Sequence, residues 1–161
     1  MEYTIIDDFL DPKDWEIIKE TFFGFQKIHW YFNEGISYPN DGHIYFTHLF
    51  YNDNTIKSDL FYVVEPILLR LEAKALMRAK ANLYLGSEKL IQHEFHKDLK
   101  FTHNGAVFYV NTNNGYTILN DEIKIESVEN RVLLFDPSTL HASTNCTDKS
   151  TRLTININYF A

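Results

Sequence analysis

Short strand-like segments, separated by turn residues and without an intervening helix, dominate the chain from Met77 to its end. The last of them, Leu153–Phe160, alternates apolar and polar residues strictly as far as Tyr159, which is the pattern of a strand with one buried face. Eight such strands in succession predict a β-sandwich or a jelly roll. Turns are expected at 113–115 and 129–130. The other seven candidate strands are Ala79–Leu85, Ile91–His96, Ala106–Asn111, Tyr116–Leu119, Ile123–Val128, Arg131–Phe135 and His141–Asn145.

Residues 1–75 follow a different pattern, in which two helices flank strand-like runs. Asp11 is a candidate N-cap with Pro12 at the first helical position, and Gly24 ends the apolar periodicity. A second helix is predicted over 59–74, with a kink or a fresh start at Pro66. Strand-like runs lie between them at 28–32 and 44–51. The predicted fold is therefore mainly β with flanking N-terminal helices.

Length and composition limit what this protein is. A chain of 161 residues is long enough for one domain with its own core. The net charge of −7 disfavours nucleic acid and anionic membranes as partners. Cys146 is the one cysteine of the sequence, the N-terminus lacks a signal-peptide pattern, and no apolar stretch has the length of a membrane span. These features predict a soluble cytoplasmic protein.

His96, Asp98 and His141 form the chemically informative group of the sequence. Two imidazoles and one carboxylate are the ligand set of a non-haem iron(II) site with open coordination positions. If His96 lies on a strand, Asp98 points to the same side and Lys97 to the other. His93 is the nearest rival ligand, but three residues before His96 it is expected to face the opposite side. The remaining histidines are interpreted as packing or surface residues: His29, His43, His48 and His103.

Arg152 adds a function that the three candidate ligands lack. Its guanidinium binds a carboxylate through two parallel hydrogen bonds, which a lysine does not reproduce. Its position, eleven residues after His141, is suited to holding the far carboxylate of a dicarboxylate that chelates the metal.

The order of these residues resembles the Fe(II)/2-oxoglutarate-dependent oxygenases, in particular the prolyl 4-hydroxylase-like branch. The resemblance spans roughly 79–160: His96 and Asp98 match the family's His-x-Asp pair, His141 its distal histidine and Arg152 its co-substrate arginine. The segment Phe108-Tyr109-Val110-Asn111 is similar to the family's Tyr-Leu-Asn strand, which implies that Tyr109 hydrogen-bonds the co-substrate. The segments 114–117 and 130–135 resemble the turn that follows and the strand before the distal histidine. The pattern Asp7-Asp8-Phe9-Leu10, a helix and then Trp30 resembles compact oxygenases encoded by large phages, and a phage protein would act in the host cytoplasm.

The resemblance implies a double-stranded β-helix, which is a cupin-like jelly roll. Residues 76–161 would be its core with the metal site, and residues 1–75 its support. The implied cofactors are Fe(II), the co-substrate 2-oxoglutarate and O₂, with succinate and CO₂ as products. Hydroxylation of a C–H bond is the implied reaction, because the halogenases of this superfamily lack the carboxylate ligand that Asp98 supplies.

The substrate is not identified by these residues. Peptidyl proline, free amino acids and other small molecules stay open, as does the oligomeric state. Segment 30–51 is interpreted either as a wall over the site or as strands that extend the main sheet with their rings in the core. Weak candidates for substrate contacts are Trp30, Tyr116 and Asn145.

Two other functions compete with the oxygenase. One is a cupin-like metalloprotein that does not use 2-oxoglutarate, for which Arg152 would be dispensable. The other is a non-catalytic jelly-roll module with a binding or structural role, for which His96, Asp98 and His141 would hold no metal.

Overall fold

The structure is a computed structural model that describes residues 2–25 and 28–161. Within these ranges the chain forms eleven strands, two α-helices and one 3₁₀ helix. In chain order they are β1 (Tyr3–Ile6), α1 (Pro12–Phe23), β2 (Tyr31–Glu34), β3 (Ile44–Asn52), β4 (Thr55–Ile56), the 3₁₀ helix (Asp59–Val63), α2 (Glu65–Arg70), β5 (Ala75–Leu85), β6 (Asn104–Tyr109), β7 (Asn113–Leu119), β8 (Ile123–Ser127), β9 (Arg131–Phe135), β10 (His141–Ser143) and β11 (Thr151–Phe160). None of the helices in the described ranges is long and apolar enough to cross a membrane.

Two antiparallel sheets build the fold. The larger has the order β1-β9-β6-β11-β5-β3-β2, with β4 beside β3, and the smaller has the order β10-β7-β8. Side chains that alternate along β6 go to opposite sides: Phe108 packs in the cluster with the helices, whereas Val107 and Tyr109 pack against Leu119 and Ile125 of the small sheet. The helices therefore cover one face of the large sheet and the small sheet covers part of the other. This confirms the predicted jelly roll with flanking N-terminal helices.

The alternation along β11 decides what the inside of the jelly roll contains. Its apolar residues Leu153, Ile155 and Ile157 lie in the core shared with the helices. Its polar residues consequently face the small sheet. The inner side of the large sheet is thus hydrophilic at its centre, where a purely structural sandwich would be apolar.

The helices begin where the sequence predicts. The carboxylate of Asp11 accepts hydrogen bonds from the N–H groups of Lys13 and Asp14, both at 3.0 Å, and caps α1. Pro66 lies in the first turn of α2, so the fresh helix start is confirmed. That helix ends at Arg70, earlier than predicted, and Glu72 then adopts a positive φ of 52°.

Two local predictions are wrong. Residues 91–96 form no strand, because they pair with the β10 region only through the isolated bridges Gln92–Thr144 and His96–His141. Between these bridges, the three residues 93–95 on one side oppose the two residues 142–143 on the other, and this register shift interrupts the ladder. Residues 113–115 form no turn but a bulge within β7, where the Asn113 Oδ1 accepts a hydrogen bond from the Gly115 N–H (3.0 Å). Strands β1 and β4 were not predicted, and several other strand ends are displaced by a few residues.

Segment 30–51 largely follows the second of its two interpretations. Strands β2 and β3 extend the large sheet at its edge, and Phe50 is buried in the core. The rings of Tyr31 and Phe32 are nevertheless exposed. Tyr45 faces the inner cleft and is one of its lining residues.

The turn between β8 and β9 ties the N-terminal segment to the jelly roll through Asn130. Its Oδ1 accepts from the Leu10 N–H and its Nδ2 donates to the Leu10 carbonyl, both at 2.9 Å and buried, while its φ is 57°. We expect Asn130→Ala to lower the free energy of unfolding by about 3 kcal/mol, because two buried backbone groups lose their partners. Asn130→Gly should lower the free energy of unfolding by about 1 kcal/mol less than Asn130→Ala does, because glycine adopts the positive φ without strain. Urea unfolding measures both, and values within 0.5 kcal/mol of the wild type would contradict this role.

Candidate metal centre and anion pocket

The three candidate metal ligands meet because the loop that carries His96 and Asp98 pairs with the first residue of β10, His141, at a single point. His96 N–H donates to the His141 carbonyl at 2.9 Å and His141 N–H donates back at 3.0 Å. This reciprocal pair places the two imidazoles side by side, with ring centroids 4.5 Å apart. The Asp98 N–H donates to the Pro137 carbonyl at 2.9 Å and so keeps the next turn of the loop beside the same segment. The prediction that His96 and Asp98 point the same way rested on a strand that does not form, yet the two side chains do converge.

The two oxygens of Asp98 have different partners. Oδ2 accepts hydrogen bonds from Arg78 Nη2 at 3.0 Å and from Asn158 Nδ2 at 2.8 Å. Oδ1 lies 3.7 Å from the Nε2 atoms of both His96 and His141, too far for a hydrogen bond. Burial opposes ionisation, but the neighbouring His141 imidazole, the charge of Arg78 and the hydrogen bond from Asn158 outweigh it and hold the Asp98 pKa well below its usual range. The carboxylate is thus ionised, and one oxygen is left facing the imidazoles.

The donor atoms fit a divalent transition metal. His96 Nδ1 lies 3.3 Å from the Glu94 carbonyl and His141 Nδ1 lies 3.0 Å from the Thr139 carbonyl. A ring that donates from Nδ1 presents its Nε2 lone pair, and a backbone carbonyl is a usual partner for a metal-binding histidine. The three donor atoms lie within 4.8 Å of one another. Two donors about 2.1 Å from a metal, at right angles, lie about 3 Å apart, so a small contraction closes the group around an ion.

Burial favours the neutral imidazole that a metal requires. Burial and the nearby His141 lower the pKa of His96 below its ordinary value. His93, the rival ligand, is separate: its Nδ1 lies 2.8 Å from the Ser143 hydroxyl, and burial together with His43 lowers its pKa to about 3. His93 is not one of the residues whose donor atoms form the metal-binding group.

The candidate ligands form one wall of a cleft whose opposite wall is the polar face of β5 and β11. The cleft contains about 480 Å³ of space between atoms, part of it open to solvent. Antiparallel pairing places the inward-facing residues of the two strands opposite one another, in four rows. The rows are Tyr84 with Arg152, Asn82 with Thr154, Lys80 with Asn156, and Arg78 with Asn158. Asn82 is buried, and its Oδ1 has no hydrogen-bond partner within the described part of the chain.

Arg152 is a buried cation without a counter-ion. Its side chain is 1% exposed, and its nitrogens donate to Ser127 Oγ at 2.8 Å, Thr117 Oγ1 at 3.1 Å and the Thr144 carbonyl at 3.3 Å. In residues 2–25 and 28–161 no carboxylate forms an ion pair with it. Burial lowers its pKa, but an arginine in a protein stays charged. A buried charge that has only neutral partners is costly, and an anionic ligand would offset that cost.

Two tyrosines flank this guanidinium, and only one of them lines the cleft. The guanidinium carbon lies 5.4 Å from the ring centre of Tyr84 and 5.7 Å from that of Tyr109. Tyr109 is fully buried and its hydroxyl donates to Thr117 Oγ1 at 2.9 Å, the same atom that accepts from Arg152. Tyr109 therefore acts on Arg152 through Thr117, whereas Tyr84 lines the cleft. Tyr84 is not among the residues predicted from the sequence, although the alternation of 79–85 places it on the same face as Lys80 and Asn82.

Gly115 allows the small sheet to approach the arginine. A Cβ at this position would lie 2.6 Å from Arg152 Cδ and 2.3 Å from the Asn145 carbonyl oxygen. Any larger residue would displace the guanidinium or the segment before β11. Close packing against Arg152 and Asn145 therefore explains why a glycine stands in the segment 114–117.

The three weak substrate candidates lie outside the cleft lining. Trp30 packs edge-on against Phe22, with ring centroids 5.9 Å apart. Tyr116 faces the other side of β7, where the Lys124 ammonium lies 4.7 Å from its ring centre. Asn145 is buried and anchors the preceding loop, accepting from the Ile91 N–H at 2.7 Å.

Several solved structures resemble this chain in fold. No family model matches the sequence, and a search of curated proteins finds no match. A prolyl hydroxylase from Trichoplax adhaerens, in complex with a hypoxia inducible factor peptide fragment, superposes with a TM-score of 0.67 at 14% identity over 98% of this chain and 83% of that one. A 2OG-Fe(II) oxygenase family oxidoreductase from Burkholderia pseudomallei gives 0.71 at 9% identity, over 98% and 84%. A non-haem α-ketoglutarate-dependent epimerase of nogalamycin biosynthesis gives 0.66 at 14% identity, over 98% and 78%. The chain shares the fold of these enzymes.

Metal binding tests the three-residue group directly. We expect the protein to bind one Co(II), followed by its visible absorption, with His96→Ala and His141→Ala each weakening binding by at least 10–100-fold. Loss of a mere hydrogen-bond partner of a metal ligand costs about that much, so loss of the ligand should cost no less. His93→Gln is the matched control, since it removes a neighbouring buried histidine outside the group. Equal affinity in all four proteins would show that the metal binds elsewhere.

Proposed function

We propose that this protein is an Fe(II)- and 2-oxoglutarate-dependent oxygenase that oxidises a C–H bond of a small molecule or peptide. The observation that carries the proposal is Arg152, a buried cation without a counter-ion that lines the same cleft as His96, Asp98 and His141. A metal group alone is compatible with many chemistries. A metal group together with an unpaired guanidinium calls for a ligand that chelates and carries a second carboxylate.

The roles of the protein groups follow from their contacts. His96 and His141 would bind iron through Nε2, since both Nδ1 atoms face backbone carbonyls. Asp98 would bind through Oδ1 while Arg78 and Asn158 hold Oδ2 and thereby fix the direction of the carboxylate. When bound, iron and 2-oxoglutarate would supply the oxidising power: 2-oxoglutarate would lose CO₂ and take up one oxygen atom of O₂ to become succinate, and the other oxygen atom would be available for the substrate.

Arg152 would bind the far carboxylate of 2-oxoglutarate. The hydroxyls of Ser127 and Thr117 hold the guanidinium in place, and the ring of Tyr84 covers it on the cleft side. A guanidinium fixed in this way loses little conformational freedom when it binds a carboxylate. Because it cannot move toward the metal, its position would select 2-oxoglutarate over shorter dicarboxylic acids.

The proposal also covers the outcome of the reaction and the class of substrate. Hydroxylation is the proposed outcome because Asp98 provides a carboxylate ligand, and peptidyl proline is one substrate class, suggested by the peptide-bound Trichoplax enzyme. Ile36 and Tyr45 line the cleft, so we propose that this part of segment 30–51 forms a wall of the substrate site. Trp30, Tyr116 and Asn145 stay untested as substrate residues.

The two competing functions leave part of the site unexplained. A metalloprotein that does not use 2-oxoglutarate gives no reason to bury Arg152 without a partner. A non-catalytic jelly roll gives no reason for Asp98 to direct one oxygen at two imidazoles whose Nε2 atoms face it at 3.7 Å.

We also propose one domain and a cytoplasmic location. Strands from both halves of the chain share the large sheet, in which β1 pairs with β9 and β3 pairs with β5, and this supports one folding unit. The location rests on the single cysteine of the sequence, Cys146, and the phage-type origin rests on the N-terminal resemblance.

Replacing Arg152 tests the proposed function. We expect wild-type protein with Fe(II), 2-oxoglutarate and O₂ to release succinate, and Arg152→Met to require at least about 100-fold more 2-oxoglutarate, because two charge-assisted hydrogen bonds of about 1.5–3 kcal/mol each are lost. Arg152→Lys keeps the charge without the paired geometry and should lie between them. Succinate release measured against 2-oxoglutarate concentration gives these values, with His96→Ala as the inactive control. Equal activity of Arg152→Met would favour the metalloprotein without 2-oxoglutarate, and no succinate from any protein would contradict the oxygenase.

The two tyrosines beside Arg152 provide a matched pair. We expect Tyr84→Phe and Tyr109→Phe both to weaken 2-oxoglutarate binding while metal binding is retained. The effect of Tyr84→Phe should be the larger, because Tyr84 lines the cleft, whereas Tyr109 is buried outside the cleft lining and its hydroxyl reaches Arg152 only through Thr117. Anaerobic titration of the Fe(II) protein with 2-oxoglutarate, followed by the charge-transfer absorption of the chelate, measures both affinities. Wild-type affinity in Tyr109→Phe would remove Tyr109 from the site.

A further inference from the structure

Lys80 is a cation of the cleft that the proposed cofactors leave unpaired. It lies on β5 with its side chain directed into the cleft, where Nζ donates to the Tyr45 hydroxyl at 3.3 Å and lies 5.3 Å from the ring centre. Within the described chain no carboxylate forms an ion pair with it. Burial, reinforced by the charge of Arg78, lowers the pKa of Lys80 to about 8, so the side chain is still mainly protonated at neutral pH.

The cleft has more positively than negatively charged side chains, and one cation remains after the others are assigned a partner. Three cations line it, Arg78, Lys80 and Arg152, against the single anion Asp98. Arg78 is paired with Asp98 at 3.0 Å. The proposed co-substrate has two carboxylates, of which Arg152 binds one and the metal the other. Lys80 is then the cation that remains, in a protein whose net charge is −7.

A second donor lies directly opposite Lys80. Asn156 is its partner in the register of β5 and β11, and it also lines the cleft. Side chains opposite each other in an antiparallel pair have Cβ atoms about 5 Å apart. The Thr154 hydroxyl donates to Asn156 Oδ1 at 3.1 Å, and the Nδ2 donors of Asn156 have no hydrogen-bond partner within the described part of the chain. An ammonium and an amide N–H₂ side by side form a binding site for a carboxylate.

This pair is distinct from the arginine site. Lys80 and Asn156 lie four residues along their strands from Tyr84 and Arg152, a backbone distance of about 13 Å. The two anion sites are therefore at different levels of the same cleft, which the metal-binding residues also line.

We infer that the substrate oxidised at this site carries a carboxylate, which pairs with Lys80 Nζ and accepts a hydrogen bond from Asn156 Nδ2. The inference rests on the proposed function and narrows it to small carboxylic acids, such as free amino acids, and to peptides that present a carboxylate. A neutral internal peptide segment would leave the Lys80 ammonium buried without an anion. Tyr45 holds the ammonium beside the cleft until the substrate arrives.

The test uses acetate as the simplest carboxylate. Protein loaded with Zn(II) and saturating 2-oxoglutarate is mixed with acetate, and saturation-transfer NMR observes the acetate methyl and 2-oxoglutarate methylene signals in the same sample. We expect acetate to bind the wild type without displacing 2-oxoglutarate, and its signal to fall at least about fivefold in Lys80→Met, because an ion pair with a desolvated cation is lost. Lys80→Arg should retain part of the signal.

Lys124→Met is the matched control, because Lys124 also lies over a tyrosine ring but outside the cleft. Acetate binding should be unchanged in it. Binding that is absent from the wild type, or equal in Lys80→Met, overturns the inference, as does a tenfold weaker affinity of Lys80→Met for 2-oxoglutarate, which would assign Lys80 to the co-substrate. A wild type that shows no 2-oxoglutarate signal contradicts the proposed function instead, and this is seen before acetate is added.

A second measurement uses pairs of carboxylic acids and their primary amides, including free amino acids and amino-acid amides, in the succinate assay. Compounds that raise succinate release above the substrate-free rate should be the acids and not their amides. They should lose most of this stimulation in Lys80→Met and none in Lys124→Met. An uncharged compound that stimulates wild type and Lys80→Met equally would also overturn the inference.

Discussion

A guanidinium buried without a counter-ion is the constraint on which the inner side of this jelly roll depends. Arg152 is held by two hydroxyls and one carbonyl, which satisfy its hydrogen bonds but not its charge. To supply these partners the small sheet must come close, and it does so at Gly115, where a Cβ would collide with the arginine side chain. The bulge in β7 lies at this point of closest approach. The bulge in the small sheet thus makes room for the charged Arg152 side chain of the large sheet.

The same reasoning explains why the centre of the large sheet is polar. A jelly roll needs only one apolar face per strand to form its core, and in β5 and β11 that face packs against the helices. The opposite face is then available for groups that would be too costly elsewhere. Asp98 reaches it from the loop and is ionised there because Arg78, Asn158 and the imidazoles compensate for its burial. The cleft therefore combines a metal-binding group with an excess of positive charge inside an acidic protein, which suits anionic ligands.

Residue patterns predicted some parts of this arrangement better than others. The start of α1 at Pro12, the bounds of β9 and the polar face of β11 follow from local chemistry, namely a capping side chain and an alternation of two, and all are confirmed. The segment 91–96 is predicted as a strand from its residues, but a register shift against β10 breaks the ladder. The Asn-Asn-Gly of 113–115 looked like a turn, and packing against Arg152 made it a bulge. The alternation of 79–85 placed Tyr84 on the polar face of its strand, but only the cross-strand register shows that it lies opposite the arginine.

By itself the sequence determined which chemical groups this protein has and which face of each regular strand they occupy, because alternation and capping act over a few residues. It named His96, Asp98, His141 and Arg152 as the groups with chemistry to perform. Only the tertiary structure decided how they meet. The pairing of His96 with His141, the assignment of each Asp98 oxygen and the position of Lys80 opposite Asn156 depend on which strands are neighbours and in which register. Those choices are made by long-range packing and hydrogen bonding between segments distant in the chain, and no local pattern contains them.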